Sequence, residues 1–240
     1  MAERHLEWAG CRNVRDLGGL PLTGGGATRW RSVVRADSLD RLTPAGWNSL
    51  SAYGVRTVVD LREDDERSPD IARPAGITVV HAPVDDNADT AFWYRVTDDD
   101  IDGTPLYYRP FLERKADRCA AAVRAVARAG AGAVVIHCGI GRDRTGLIAL
   151  LLLALAGVTP AAIIEDYALS GERLRRHFER DDDPVAERLA ARGTTIAAAL
   201  HALLSEVDVA ACLRDAGLTP ADVGAVRDRM IVDNFGHGPR

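Results

Sequence analysis

Cysteine is scarce in this chain. The four that occur, Cys11, Cys119, Cys138 and Cys212, stand far apart and show no paired spacing. A disulfide framework is not expected, and the absence of any Cys-x-x-Cys removes a redox pair. The six histidines never fall beside cysteines at ligand spacing, so no metal site is expected and no cofactor is called for. No Gly-x4-Gly-Lys-Ser/Thr string occurs, which excludes that kind of nucleotide-binding loop. Arginine-rich blocks with interleaved aromatics are missing and the net charge is −5, so nucleic acid is not an expected partner. The first ten residues are charged and hold no apolar stretch, so no cleavable signal is visible. The longest apolar run, Gly146 to Val158, is shorter than the roughly 20 residues a membrane-spanning helix needs. The expectation is a cytoplasmic protein with no stable membrane insertion, export by another route being left open. Internal repeats and low-complexity linkers are absent too.

What is present is enough apolar material for a real core, 47% of 240 residues. The chain reads as one domain over 1–240, with an α/β core over 1–158 and a helical extension over 159–240 that completes the core or roofs the site. Four Thr-Pro pairs, Thr43-Pro44, Thr104-Pro105, Thr159-Pro160 and Thr219-Pro220, set a capping hydroxyl before a proline suited to the first helical position. Helices are therefore expected to start at 44, 105, 160 and 220, with a further start at Asp183-Pro184. Leu42 and Trp47 can staple the first start, and Gly54 ends that helix. Strands are expected over Arg29–Val34, Val55–Leu61, Ile77–Pro83 and Ala133–His137, with Gly24-Gly25-Gly26 turning a short hairpin. Asp85 to Gly103 reads as acidic and irregular. A helix broken at Pro110 and closed at Gly130 follows it. Strands alternating with helices imply a mostly parallel central sheet flanked by helices, with ligands bound at the carboxyl edge.

The most informative stretch is His137 to Gly146: His-Cys-Gly-Ile-Gly-Arg-Asp-Arg-Thr-Gly. Apolar runs lead in (Ala133 to Ile136) and out (Leu147 to Leu155), so it reads as a buried strand, a tight loop and the start of a buried helix. Gly139 and Gly141 let the loop curl so that its N–H groups, with those of Ile140, Arg142 and Asp143, point inward. The helix beginning near Thr145 adds a positive dipole end. Such a bowl favours a thiolate at Cys138 and binds a tetrahedral dianion at the same place. Cys138 is then a nucleophile toward phosphorus. Arg144 forks two donors onto equatorial oxygens, which lysine's single ammonium does not copy. Thr145 offers a hydroxyl to the departing sulfur, and His137 anchors the loop through its ring. A buried cysteine packed as a small hydrophobe would leave the glycines and the Arg-Asp-Arg run unexplained.

These residues resemble a known family. Cys-x5-Arg after an apolar strand is the signature of cysteine-dependent protein tyrosine phosphatases. Asp-Arg-Thr-Gly, Asn13-Val14-Arg15-Asp16-Leu17-Gly18-Gly19 and Asp60-Leu61-Arg62 narrow the resemblance to bacterial tyrosine phosphatases with a His-Cys-x-x-Gly-Lys-Asp-Arg-Thr-Gly loop. It extends over most of the chain, including the tail around Leu213 to Leu218. It implies a cysteine-phosphatase fold, a phosphocysteine intermediate, and action on phosphotyrosine, sometimes phosphoserine and sometimes phosphoinositides. The partner is thus a phosphorylated protein or a phosphoinositide. Arg142 departs from the family, which usually has lysine there; charge is kept while reach and geometry change.

A leaving oxygen needs a proton, and an aspartate over the cradle is the usual donor. Asp85, after a strand and Pro83, stands first. Asp143 inside the loop competes, its alternative role being an ion pair that orients Arg142 or Arg62. Asp86 is a third candidate, and Asp60 reads as structural. Arg15 and Asp16 are read as pinning the N-terminal segment beside the catalytic edge, and with His137 and Arg62 they form the supporting set. Trp93, Tyr94, Tyr107 and Tyr108 read either as a wall for a flat ring or as core. Other readings keep the loop and change the outcome: a phosphate-binding module without turnover, sulfur transfer, or arsenate reduction.

Overall fold

The computed structural model describes residues 4–68, 73–178 and 183–232. Among the described residues five strands form one sheet: β1 (Arg15–Asp16), β2 (Val33–Ala36), β3 (Val55–Asp60), β4 (Thr78–His81) and β5 (Ala133–His137). Their order is β1-β2-β5-β3-β4. β1 runs antiparallel to β2, and the other pairs are parallel. The last strand in sequence is therefore central in space. Ala36, Asp60 and His81, the last residues of β2, β3 and β4, come level with His137, the last residue of β5. The chain leaves all four strands at one edge, so their loops converge over β5.

Alternation along the strands sends side chains to opposite faces. Val33, Val59, Val134 and Ile136 join one buried cluster, while Val34, Ala36, Val58 and Val135 join another. The second face is covered by α1 (Pro44–Tyr53) and the N-terminal segment, through Trp8, Trp47 and Leu50. The first is covered by α3 (Tyr108–Ala127) and α4 (Asp143–Leu155). On these pack α5 (Pro160–Phe178), α8 (Val209–Asp215) and α9 (Pro220–Met230), while α7 (Ile196–Glu206) packs on α5, and α6 (Pro184–Ala191) contacts α7. Leu200, Leu213, Val226 and Met230 lie in the same cluster as the leucines of α4. The helices after residue 159 thus complete the core. Among the described residues no single helix is long and apolar enough to cross a membrane.

Local capping sets the helix starts. Thr43 accepts from the Gly46 N–H and Thr219 from that of Asp222, each before a proline. Asp183 caps α6 in the same way. Thr104-Pro105 opens a 3-10 turn over Pro105–Tyr107 that runs into α3. Pro21 bridges Ala27 across the glycine turn.

Four expectations need correction. The strand expected over Arg29–Val34 is Val33–Ala36, because residues before it turn: Arg31 has φ 57 and its N–H is held by Asp16. The segment Asp85 to Gly103 is not irregular throughout. It contains a further helix, α2 (Thr90–Asp98), capped by Asp89 and burying Phe92 and Val96 one turn apart. Pro110 does not break α3, since it sits in the first turn, where its missing N–H has no partner to lose. The irregular residue is Lys115, whose ammonium is drawn to Asp86 and Asp89. The helix also ends at Ala127, short of Gly130. The two-residue β1 is too short to read from periodicity. Of the acidic run 181–183, only Asp183 lies within the described residues.

α4 approaches its neighbours closely at Gly146, where a Cβ would lie 2.7 Å from the Tyr167 ring and 3.2 Å from the Tyr108 hydroxyl. Gly146→Ala should therefore overpack this contact and lower stability by about 1–3 kcal/mol. Urea denaturation measures it, and an unchanged midpoint would contradict the packing.

Candidate active site

β5 ends at His137 and delivers Cys138 to the carboxyl edge of the sheet; residues 139–142 form a loop and α4 opens at Asp143. Cys138 is 2% exposed, at the base of that loop. Gly141 has φ 73, and a Cβ on it would press to 2.6 Å from the Ala36 carbonyl. Gly139 is under no such demand: a Cβ there would meet only Arg144 Nη2, at 3.8 Å.

The loop is shaped by where its carbonyls go. Gly139 O accepts from the Ser38 N–H (3.0 Å), Ile140 O from Asn13 Nδ2 (3.1 Å) and Gly141 O from Arg35 Nη2 (2.8 Å). Asp143 O accepts from the Tyr108 hydroxyl at 2.8 Å. In a planar trans peptide the C=O and the next N–H point in opposite directions. Three outward carbonyls therefore turn the N–H groups of Ile140, Gly141 and Arg142 inward, over Cys138. The unpaired N–H groups of the first turn of α4 join them at the positive end of its dipole.

Arg144, in that first turn, closes the rim. Its two terminal nitrogens bond the two oxygens of Glu66, Nη2 to Oε1 at 2.7 Å and Nη1 to Oε2. Nη1 also lies 3.2 Å from Asp85 Oδ2. Among the described residues these three contacts leave two of the five guanidinium N–H groups without a partner. Glu66, on a 3-10 turn over Asp64–Glu66, is held below the usual carboxylate range chiefly by Arg144.

The acid candidates separate in space. Asp85 stands on the loop after β4 beside Arg144, and its pKa is pushed up to about 6. Burial is the main cause; Arg144 opposes it, and Glu66, Glu63 and Asp143 reinforce it. Asp86 turns away and pairs with Lys115 Nζ (3.0 Å) and Arg118 (3.2 Å). Asp143 pairs with Arg142 Nε at 3.2 Å, and burial raises its carboxyl against that partner.

His137 is buried, and its Nδ1 lies 3.3 Å from the Cys138 carbonyl. Burial lowers its pKa to about 4, so the ring is neutral near pH 7 and Nδ1 donates to that carbonyl. Asp60 accepts from Arg62 Nε (2.9 Å) and Nη2 (2.8 Å), and Arg62 continues to Asp40. Burial would raise Asp60, yet Arg62 and His137 outweigh it and bring it to about 2. The Thr145 hydroxyl donates to the Ala36 carbonyl (3.4 Å), so the contact expected with the Cys138 sulfur is not the one it makes here.

Arg15 and Asp16 part company, because neighbouring strand residues face opposite ways. Arg15 lies behind the loop over residues 139–142 and donates to Asn13 Oδ1 at 2.7 Å. Asp16 instead accepts from the N–H groups of Gly18 (2.7 Å) and Arg31 (2.8 Å) and from the Tyr53 hydroxyl. It pins the turn before β2 and not the catalytic edge. The aromatic wall is also not formed. Trp93 packs against Phe92 and Phe111, Tyr107 against Phe111, and Tyr108 against Tyr107 and Tyr167, while Tyr94 is 75% exposed. A pocket of about 300 Å³ lies beside the loop, bordered by Gly103, Ile140, Arg142, Leu174 and Val185.

Sequence reasoning missed Arg35, Glu66, Asp166 and Ser170. A signal existed for three of them. Arg35 interrupts the apolar Val33-Val34-x-Ala36, and Asp166 and Ser170 lie one turn apart on the face of α5 that buries Ile163, Tyr167 and Leu174. Among the described residues no cluster of three His, Cys, Asp or Glu side chains is placed to hold a metal ion.

Comparison with known proteins agrees with this geometry. The profile of the tyrosine phosphatase family matches residues 6–232. A tyrosine-protein phosphatase of Nostoc commune is 34% identical over 155 residues, which cover 63% of this chain and 52%, about half, of that protein. A Cupriavidus necator protein that bears a provisional tyrosine-protein phosphatase name is 31% identical over 234 residues, covering 92% of this chain and 82% of its own. The triple specificity protein phosphatase PtpB of Mycobacterium tuberculosis is 29% identical over 283 aligned positions, covering 96% and 100%.

The carboxyls around Arg144 are coupled. Glu66→Gln removes a negative charge near Asp85 and frees Arg144 to pair with it. Both effects favour the carboxylate, so the Asp85 pKa should fall below about 6. A carboxyl-carbon NMR titration reads this directly, and an unmoved or rising value would contradict the coupling.

Proposed function

The chain belongs to the tyrosine phosphatase family, and from that premise we propose that it hydrolyses phosphotyrosine monoesters, with phosphoserine and phosphothreonine esters as further substrates, through a phosphocysteine on Cys138. The observation that carries this reading is the row of three inward N–H groups above Cys138 with Arg144 on the rim. That arrangement matches three equatorial oxygens better than any neutral ligand.

The Cys138 thiolate attacks phosphorus in line; the S–P bond forms as the bond to the ester oxygen breaks. Asp85 gives its proton to that oxygen. It suits the task because it stands at the rim beside Arg144, on a loop separate from the one that carries Cys138, with its pKa pushed up to about 6. The two remaining Arg144 donors and the loop N–H groups hold the phosphoryl oxygens throughout. Asp85, now a carboxylate, takes a proton from water, which attacks phosphorus. The S–P bond breaks, and inorganic phosphate and thiolate result. Thr145 supports the departing sulfur once its hydroxyl exchanges the Ala36 carbonyl for Sγ.

The name of the mycobacterial relative, a triple specificity phosphatase, supports a site that admits more than one kind of ester. A phosphoinositide is the second reading. It draws on the pocket beside the loop, where Arg175 and Arg188 border the cavity along with Arg142. Asp102 and Asp183 at the same border offset part of that charge, which favours the phosphopeptide. A tenfold or greater preference for phosphopeptide over phosphoinositide would bear this out, and the reverse preference would install the lipid reading.

Purified protein should hydrolyse an aryl phosphate in the presence of a chelator, and Cys138→Ser, folded, should be inert; turnover by that variant would refute the mechanism. The acid must be protonated to act, so kcat/KM should decline as pH rises through about 6. Asp85→Asn should abolish that limb and lower kcat on phosphotyrosine about 10²–10⁴-fold. Loss of the limb in Asp143→Asn alone would move the role to Asp143.

A further inference from the structure

Two of the three hydrogen bonds that turn the loop carbonyls outward lead to one carboxylate on a helix of the C-terminal extension. Arg35 Nη2 donates to Gly141 O (2.8 Å), and its Nη1 lies 2.8 Å from Asp166 Oδ2. Asn13 Nδ2 donates to Ile140 O (3.1 Å), and Asn13 Oδ1 accepts from Arg15 Nη1 (2.7 Å). Arg15 in turn bonds Asp166 through Nε (3.0 Å) and reaches the Asp166 carbonyl through Nη2 (2.6 Å). The Ser170 hydroxyl, one turn along α5, accepts from Arg15 (3.0 Å) and Arg35 (3.3 Å). Arg4 adds a third guanidinium on Asp166, at 2.7 Å.

We propose that Arg35 is a positioning residue for the phosphate loop and that Asp166 on α5 is the hub that holds both Arg35 and the Arg15–Asn13 pair in place; this rests on the phosphatase reading above for its kinetic readout. Stability alone is a poor reason for the network. Arg15, Arg35 and Asp166 are each at most 1% exposed, and a buried ion cluster is commonly no more stable than apolar side chains of the same volume. What it supplies is direction. A guanidinium has donors in a rigid fork, so Arg35 reaches Asp166 through Nη1 and Gly141 O and Ser170 through Nη2, a spread over two nitrogens that the single nitrogen of an ammonium does not reproduce. The cluster also holds more guanidinium than carboxylate charge directly beneath the loop, and that sign suits an oxyanion above it. α5 is then part of the catalytic scaffold: it sets the angle of two loop peptides through Asp166.

The test compares the parent with Arg35→Lys and Asp166→Asn, reading kcat/KM on an aryl phosphate, the affinity for tungstate and the melting temperature. Arg35→Lys keeps the charge beside Asp166 and loses the fork. The proposal expects a cooperatively folded protein with kcat/KM reduced at least 30-fold and tungstate bound at least tenfold more weakly. Asp166→Asn, which touches no loop atom, should show the same pair of losses. A purely structural role would lower the melting temperature and leave both readouts within threefold, and that result overturns the proposal. Should both variants fail to fold, Asn13→Ala decides, because it removes only the Ile140 bond and one partner of Arg15. Tungstate binding 3-fold or more weaker supports the proposal, and unchanged binding overturns it. Calorimetric tungstate affinity needs no turnover. A parent that binds tungstate and hydrolyses nothing would sink the phosphatase reading while leaving this inference measurable.

Discussion

Everything at this site follows from three peptide planes being held by their backs. A peptide N–H faces a ligand only if something fixes its carbonyl the other way, and here Ser38, Asn13 and Arg35 do so for successive carbonyls. The bowl over Cys138 is thus shaped by residues outside the loop itself. Its donors are oriented before any dianion arrives, which is the condition for electrostatic stabilisation without reorganisation.

The sheet order makes that possible. Because β5 inserts between β2 and β3, the loop after it is flanked by the loops after β2 and β3. β2 contributes Arg35 from within and Ser38 from just beyond its end, and the turn after β3 contributes Glu66. The loop after β4 contributes Asp85. The charges are graded in depth. Asp60 and Arg62 lie below His137, the Arg15–Arg35–Asp166 cluster lies behind the loop, and Glu66 and Asp85 share Arg144 at the rim. At the rim, burial pushes the Asp85 carboxyl up to about 6.

What was legible in the sequence was local. Thr43-Pro44 and Thr219-Pro220 mark helix starts because a cap and its N–H lie three residues apart. The strand, loop and helix around Cys138 are contiguous, so apolar runs and glycines reveal them together. α2 was hidden because only Phe92 and Val96 are buried in its nine residues, amid acidic neighbours. The supporting cast was legible only in part: Arg35 and Asp166 interrupt apolar patterns and Asn13 lies in a polar motif, but only the tertiary fold brings positions 13, 35, 66 and 166 to one loop. Asp16 misled for the opposite reason. It sits beside Arg15 in sequence, and a strand sends the two to different places.

The most direct measurement is a crystal structure of the protein with orthovanadate. The account predicts vanadium bonded to Cys138 Sγ, equatorial oxygens within hydrogen-bond distance of the N–H groups of Ile140, Gly141 and Arg142 and of Arg144, and Asp85 facing the apical oxygen. Vanadate bound away from Cys138, or those three N–H groups turned outward around it, would contradict the account.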